Sequence, residues 1–171
     1  MSITSIKAAQ RLDSRGKPTV QVILTTANGA FHSLVPSGAS KGDYEAVELC
    51  DGDDSCYQGN GVLKAVHNIE NVLGPALMDA KLNPATDLAK IDELMIKLDG
   101  TDDKSKLGAN AILGISMAVA RAGAAAAGVP LYDFLAKQAG SSTKDFIMPV
   151  PFMNVLTAAT ILAIPWRSKS S

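Results

Sequence analysis

The residues best placed by type and spacing to do chemistry are Ser37-Gly38-Ala39-Ser40-Lys41-Gly42, a run of two hydroxyls, one amine and two glycines. Such a loop can bring a hydroxyl and backbone N–H groups to an anion or a metal-bound ligand, although glycine and serine also punctuate ordinary turns. Other candidates fall on spacing. Asp51, Asp53 and Ser55 match the first three ligand positions of a calcium loop, but Cys56 stands where glycine is required and Val62 where a bidentate glutamate is required. Gly59-Asn60-Gly61 lacks the third glycine of a dinucleotide fingerprint and follows no strand pattern. His32 and His67 have no second histidine or cysteine at ligand spacing, and Cys50 and Cys56 do not have a zinc spacing. Glu70 and Asp92 fall on the polar faces of amphipathic helical patterns, where a solvated carboxylate is the expectation. Met117, Met148 and Met153 read as core filler.

The elements that must position these residues come in two blocks. Val20, Val22 and Leu24 alternate with Thr19, Gln21 and Ile23, a period of two that predicts a half-buried strand. Asn28-Gly29 predicts a tight hairpin turn with positive φ, pairing Thr19–Thr26 with Ala30–Val35, and an earlier strand over Ile3–Leu12 completes a three-stranded antiparallel meander. Beyond the loop the period changes. Val62, Ala65, Val66, Ile69, Val72 and Leu73 form one helical stripe, and Leu88, Ile91, Leu94 and Leu98 form a second. Ala109–Ala127 is a long alanine-rich helix stopped by Gly128 and Pro130, and Leu131–Ala139 is a short one stopped by Gly140. Strands first and about four helices second is the order of an α+β domain. Phe146–Leu156 predicts a further strand after a small polar linker.

Composition narrows the function classes. The 171 residues carry 16 Lys and Arg against 17 Asp and Glu, so no basic surplus is present to neutralise a nucleic-acid backbone or an anionic membrane. The most apolar stretch is interrupted by Arg121, which argues against a membrane span, and Met1–Arg15 has no apolar core of a secretory signal. Two cysteines are too few for a disulfide framework and favour a reducing compartment.

Several longer motifs carry a family likeness. Asp13-Ser14-Arg15-Gly16-Lys17-Pro18-Thr19-Val20, Val35-Pro36-Ser37-Gly38-Ala39-Ser40, Leu98-Asp99-Gly100-Thr101, the run Lys104–Gly114, and Pro149-Val150-Pro151-Phe152-Met153-Asn154-Val155 resemble enolase in identity, order and spacing. The resemblance runs from Ser2 to Leu156. It implies magnesium-dependent dehydration of 2-phosphoglycerate to phosphoenolpyruvate, a cytoplasmic step of glycolysis, with a lysine base and two metal ions. It also implies that residues 1–140 are a capping domain, that residues 141–156 lead into the first strand of a catalytic barrel, and that Ser37–Gly42 is a substrate lid whose Ser40 ligates the second magnesium.

A barrel takes about 250 residues, and 15 follow Leu156. The expectation is therefore that this chain alone does not turn over. Thr157-Ala158-Ala159-Thr160-Ile161 stands where enolases continue Asn-Gly-Gly-Ser-His, so residues 157–171 read as a divergent, disordered tail. Lys17, Lys41 and Cys50 replace the family's usual Asn, Thr and Arg, and Ala9 and Gln21 replace an Arg and a Glu that commonly pair across the enolase dimer. The competing reading is a non-catalytic interaction domain that binds full-length enolase or another protein.

Overall fold

Val20, Val22 and Leu24 are fully buried on one side of the central strand, while Gln21, Ile23 and Thr25 are half-buried on the other, as the period of two requires. A computed structural model describes residues 2–38, 42–141 and 146–153. Strands β1 (Ile3–Leu12), β2 (Pro18–Thr26) and β3 (Gly29–Leu34) form an antiparallel sheet in the order β1-β2-β3. The β1–β2 connection is held by Asp13, whose Oδ1 accepts the Arg15 and Lys17 amides, each at 2.8 Å. The β2–β3 turn falls one residue earlier than Asn28-Gly29 suggests: Thr26 pairs with Gly29, leaving Ala27 and Asn28 as the loop. Only Gly29 of that dipeptide has a positive φ, and the Asn28 amide donates to Thr26 Oγ1.

Helix α1 (Leu63–Asn68) passes through a π turn (Ile69–Leu73) into α2 (Gly74–Ala80). The rod thus runs past the predicted stripe. Pro75 has no amide to donate and its ring would crowd the carbonyl four residues back, and a widened turn ahead of it relieves both problems. The remaining helices are α3 (Leu88–Asp99), α4 (Ala109–Ala127) and α5 (Leu131–Gln138). This is the α+β layout that the order of patterns implies.

Helix α4 lies across the sheet and supplies the centre of the core through Ala111, Ile115, Ala118, Val119 and Ala122. Close approach requires Gly114, where a Cβ would stand 2.8 Å from Val22 Cγ2, and Ser33 Oγ donates to the Gly114 carbonyl at 2.6 Å. By length and composition α4 could cross a membrane, but 61% of its apolar window is buried inside the fold, the mark of a core helix. Residues 146–153 form no strand, because a strand needs a neighbouring ladder and none lies beside them; residues 154–156 of that predicted strand lie outside the described residues. Met148 and Met153 are exposed rather than core filler, whereas Met117 does pack against the core.

Candidate functional site

The Ser37–Gly42 run leaves β3 through Val35, whose carbonyl accepts the buried Thr19 hydroxyl at 2.6 Å and whose amide donates to the Val20 carbonyl at 2.9 Å. The chain is then fixed at both flanks of the loop. On one flank, Arg15 Nη2 donates to the Ser37 carbonyl at 2.6 Å and Ser37 Oγ donates to Glu48 Oε2 at 3.0 Å. On the other, the Gly42 amide donates to Glu45 Oε2 at 2.9 Å. Arg15 is itself held over Asp13, whose carboxyl is kept below the usual range by the Lys17 amide first and then by the Arg15 amide and charge. Ala39, Ser40 and Lys41, and with them the expected magnesium ligand, lie outside the described residues.

The segment carrying Glu45 and Glu48 is strapped to the start of α4. Asn110 is buried, its Oδ1 accepts the Leu49 amide at 3.2 Å and its Nδ2 donates to the Leu49 carbonyl at 3.1 Å. The Val47 amide donates to the Asp103 carbonyl and the Ala109 amide to the Val47 carbonyl. A glycine is needed at 108, where φ is +98° and a Cβ would stand 2.6 Å from Leu49 Cβ. A cavity of about 260 Å3 opens beside the loop, with Lys17, Ser37, Gly38, Glu48, Cys50 and Asn60 in its wall.

A family description, "Enolase, N-terminal domain", matches residues 3–135. The chain belongs to that family. In this enolase N-terminal domain the departures Lys17 and Cys50 therefore line one cavity with the loop, while Ala9 and Gln21 face each other in the β1–β2 ladder. Enolases use magnesium, a hard cation that takes oxygen ligands. Among the described residues no group of three or more His, Cys, Asp and Glu can hold a metal ion, and the Ser37 hydroxyl is committed to Glu48. The described part of this enolase domain does not form a metal cage.

Three further residues have roles that local sequence does not show. Asp51 serves the backbone of α1. Its Oδ2 accepts the Leu63 amide at 2.9 Å and its Oδ1 the Lys64 amide at 2.8 Å, so it caps the start of α1 from twelve residues upstream. Asp51→Ala is expected to lower stability by about 1–2 kcal/mol, read as a lower urea midpoint with unchanged slope. Glu70, expected to be solvated, accepts the Ala8 amide of β1 at 3.1 Å.

Asp92 also departs from the solvated expectation. It is half-buried, its Oδ1 has no hydrogen-bond partner, and burial raises its carboxyl above the ordinary value despite the Ser116 hydroxyl, which pulls the other way. Asp92 lies in the wall of a cleft that it shares with Ser116 of α4 and with Pro36 and Glu48. The His32 backbone carbonyl accepts Arg121 Nη1 of α4, and the His67 ring meets Asn71 Nδ2 at 3.1 Å.

Proposed function

We propose that this chain provides the capping part of an enolase-type dehydratase, the part that closes over 2-phosphoglycerate rather than the part that removes its proton. Residues 1–140 are the cap, and residues 141–156 are the lead into a barrel that carries the lysine base and the first magnesium site. The setting is cytoplasmic glycolysis, as in the family. The observation that supports this most directly is the double anchorage of the loop. Ser37 is held by Arg15 and Glu48, and Gly42 by Glu45, so that the four residues from Gly38 to Lys41, Ser40 among them, join two anchored ends. Such a span limits the search needed for closure, and closure excludes water from the reacting centre. Ser40 as ligand to the second magnesium, and the bound loop as lid, rest on family membership.

The test has two arms. The 171-residue chain is expected to show no conversion of 2-phosphoglycerate in a coupled assay; turnover that survives removal of host enolase would overturn the reading. With a family barrel joined after Leu156, turnover is expected to appear. In that protein Ser40→Ala is expected to lower kcat by about 10–100-fold with an unchanged melting temperature, and Ser37→Ala to cost less. Full activity of Ser40→Ala at limiting magnesium would return the loop to a simple connector. The second reading, a non-catalytic domain docking on full-length enolase, draws support from exposed Ile96 and Leu113; co-elution of the two purified proteins is its test.

A further inference from the structure

Arg121 is the only charged residue on the 19-residue helix α4. Its Nη1 donates to the His32 backbone carbonyl of β3, which ties the guanidinium to the edge of the sheet. That bond uses one of five N–H donors. Arg11 of β1 is held in a similar way, its Nη1 donating to the Gln10 carbonyl at 3.2 Å. Neither guanidinium forms an ion pair with a described residue.

The sheet brings both cations to one place. Directly opposed residues share a face, and Gln21 opposes Ala9 and Leu34 while Ile23 opposes His32. The period of two then sets Arg11, Gln21, His32 and Leu34 on the face turned away from buried Val20, Val22 and Leu24. An open cavity of about 410 Å3 lies there, with Arg11, Leu12, Gln21, His32, Leu34 and Arg121 in its wall. It shares no residue with the cavity beside the Ser37–Gly42 run. No acid lines it, so two permanent positive charges stand in one wall without an anion. Leu12 and Leu34, 54% and 47% exposed, put apolar surface beside those charges.

We propose that this cavity binds the phosphoryl group of a phosphate monoester whose body is apolar. Charge selects the group. A phosphate monoester carries a charge of about −1.5 to −2 at neutral pH, which matches two guanidinium groups, and the guanidinium fork pairs with phosphate oxygens two at a time. A monocarboxylate would leave one cation unanswered. The Gln21 amide supplies further N–H donors, and the exposed leucines select an apolar body over a polar one. The site is separate from the proposed capping role, and its test requires no turnover.

The chain has two histidines, His32 and His67, so proton NMR of the imidazole rings distinguishes the cavity from the rest of the molecule. With phenyl phosphate as the probe, at fixed pH and ionic strength, the His32 signals are expected to move to saturation with a Kd below ~1 mM, while those of His67 stay in place. Inorganic phosphate is expected to move the same signals with several-fold weaker affinity. Gln21→Glu, which sets a carboxylate in the wall, should weaken phenyl phosphate by about 10-fold or more, as should Arg121→Gln. Arg11→Gln serves as the cation variant should Arg121→Gln lose cooperative melting. Parallel movement of both histidines, or a Kd at or above ~1 mM, would overturn the proposal and mark an adventitious ion only. Affinity unchanged in Gln21→Glu and in the cation variant would also overturn it. Equal affinities for phenyl and inorganic phosphate would overturn the ester and give the cavity to the free ion.

Discussion

Asp99→Ala is expected to lower the stability of the domain by about 3–4 kcal/mol and its melting temperature by about 6–16 °C. Asp99 is 2% exposed and ends α3, where the helix dipole presents its negative end, so a bare carboxylate there would be doubly unfavourable. It is tolerated because three donors converge on it. The Thr101 amide donates to Oδ1 at 3.1 Å, the Thr101 hydroxyl donates to the same oxygen, and the Leu107 amide donates to Oδ2 at 2.6 Å. Alanine would leave the Leu107 amide buried with its acceptor removed, which costs more than the net worth of the bond. The loop from Thr101 to Gly108 would loosen with it, and that loop holds Val47 through the Asp103 carbonyl, so the damage reaches the strap under the candidate site.

The same residue gives a pH dependence of defined sign. Burial pushes the Asp99 carboxyl up, but the Thr101 hydroxyl and the Leu107 and Thr101 amides together outweigh it, and the net shift is downward. A carboxyl depressed in the folded state contributes stability that is complete above its unfolded value and is lost as pH falls through the folded value. Stability of the parent should therefore fall on acidification below the ordinary carboxylate range, and Asp99→Asn should remove part of that slope. A melting temperature of Asp99→Ala within ~2 °C of the parent would show that the loop finds other acceptors.

What could be read from sequence was local and periodic. Alternation at Val20, Val22 and Leu24 located the central strand and its buried face, and Gly100 and Gly128 marked helix ends where both adopt positive φ. The hairpin was found but displaced by one residue, because Asn-Gly specifies that a turn exists while the ladder pairing of Thr26 with Gly29 fixes its position. The stripe from Val62 to Leu73 stops short of the rod from Leu63 to Ala80, which continues through a π turn ahead of Pro75.

The site was legible as a loop of unusual composition, not as a mechanism. Its anchors join residues far apart in the chain: Arg15 to Ser37, Glu48 to Ser37, Asn110 to Leu49. No periodicity encodes such contacts. Asp92 shows the converse error. Its position on a polar stripe implies solvent, but a stripe says nothing of what lies beside it, and Asp92 shares a cleft wall with Ser116 of α4 and with Pro36, Glu45 and Glu48. Family likeness implies a chemistry for the loop, and the structure shows the hydrogen bonds that anchor its flanks.

Gly123→Val is expected to be the most damaging single substitution on α4, lowering stability by about 3–5 kcal/mol and loosening α5. Within an alanine-rich helix a glycine is ordinarily a weakness, and replacing it should raise helix propensity by up to about 1 kcal/mol. Here contact decides the sign. A Cβ at Gly123 would stand 2.5 Å from the Pro84 carbonyl oxygen and 2.6 Å from Phe134 Cζ. Phe134 is the buried side chain of α5, 3% exposed, and it lies flush on α4 because position 123 has no side chain. The phenyl ring could turn aside at the cost of its packing, but the Pro84 carbonyl belongs to the backbone joining α2 to α3 and has no rotamer to change. Ala125→Val, at an exposed position two residues on in the same helix, isolates the β-branched propensity cost and should lower stability by less than about 1 kcal/mol. In a double-mutant cycle Phe134→Ala should partly relieve Gly123→Val, giving a coupling of about 1 kcal/mol or more. Equal melting temperatures for Gly123→Val and Ala125→Val would show that α4 and α5 separate freely at this point, and that the close approach of their backbones contributes nothing to the fold.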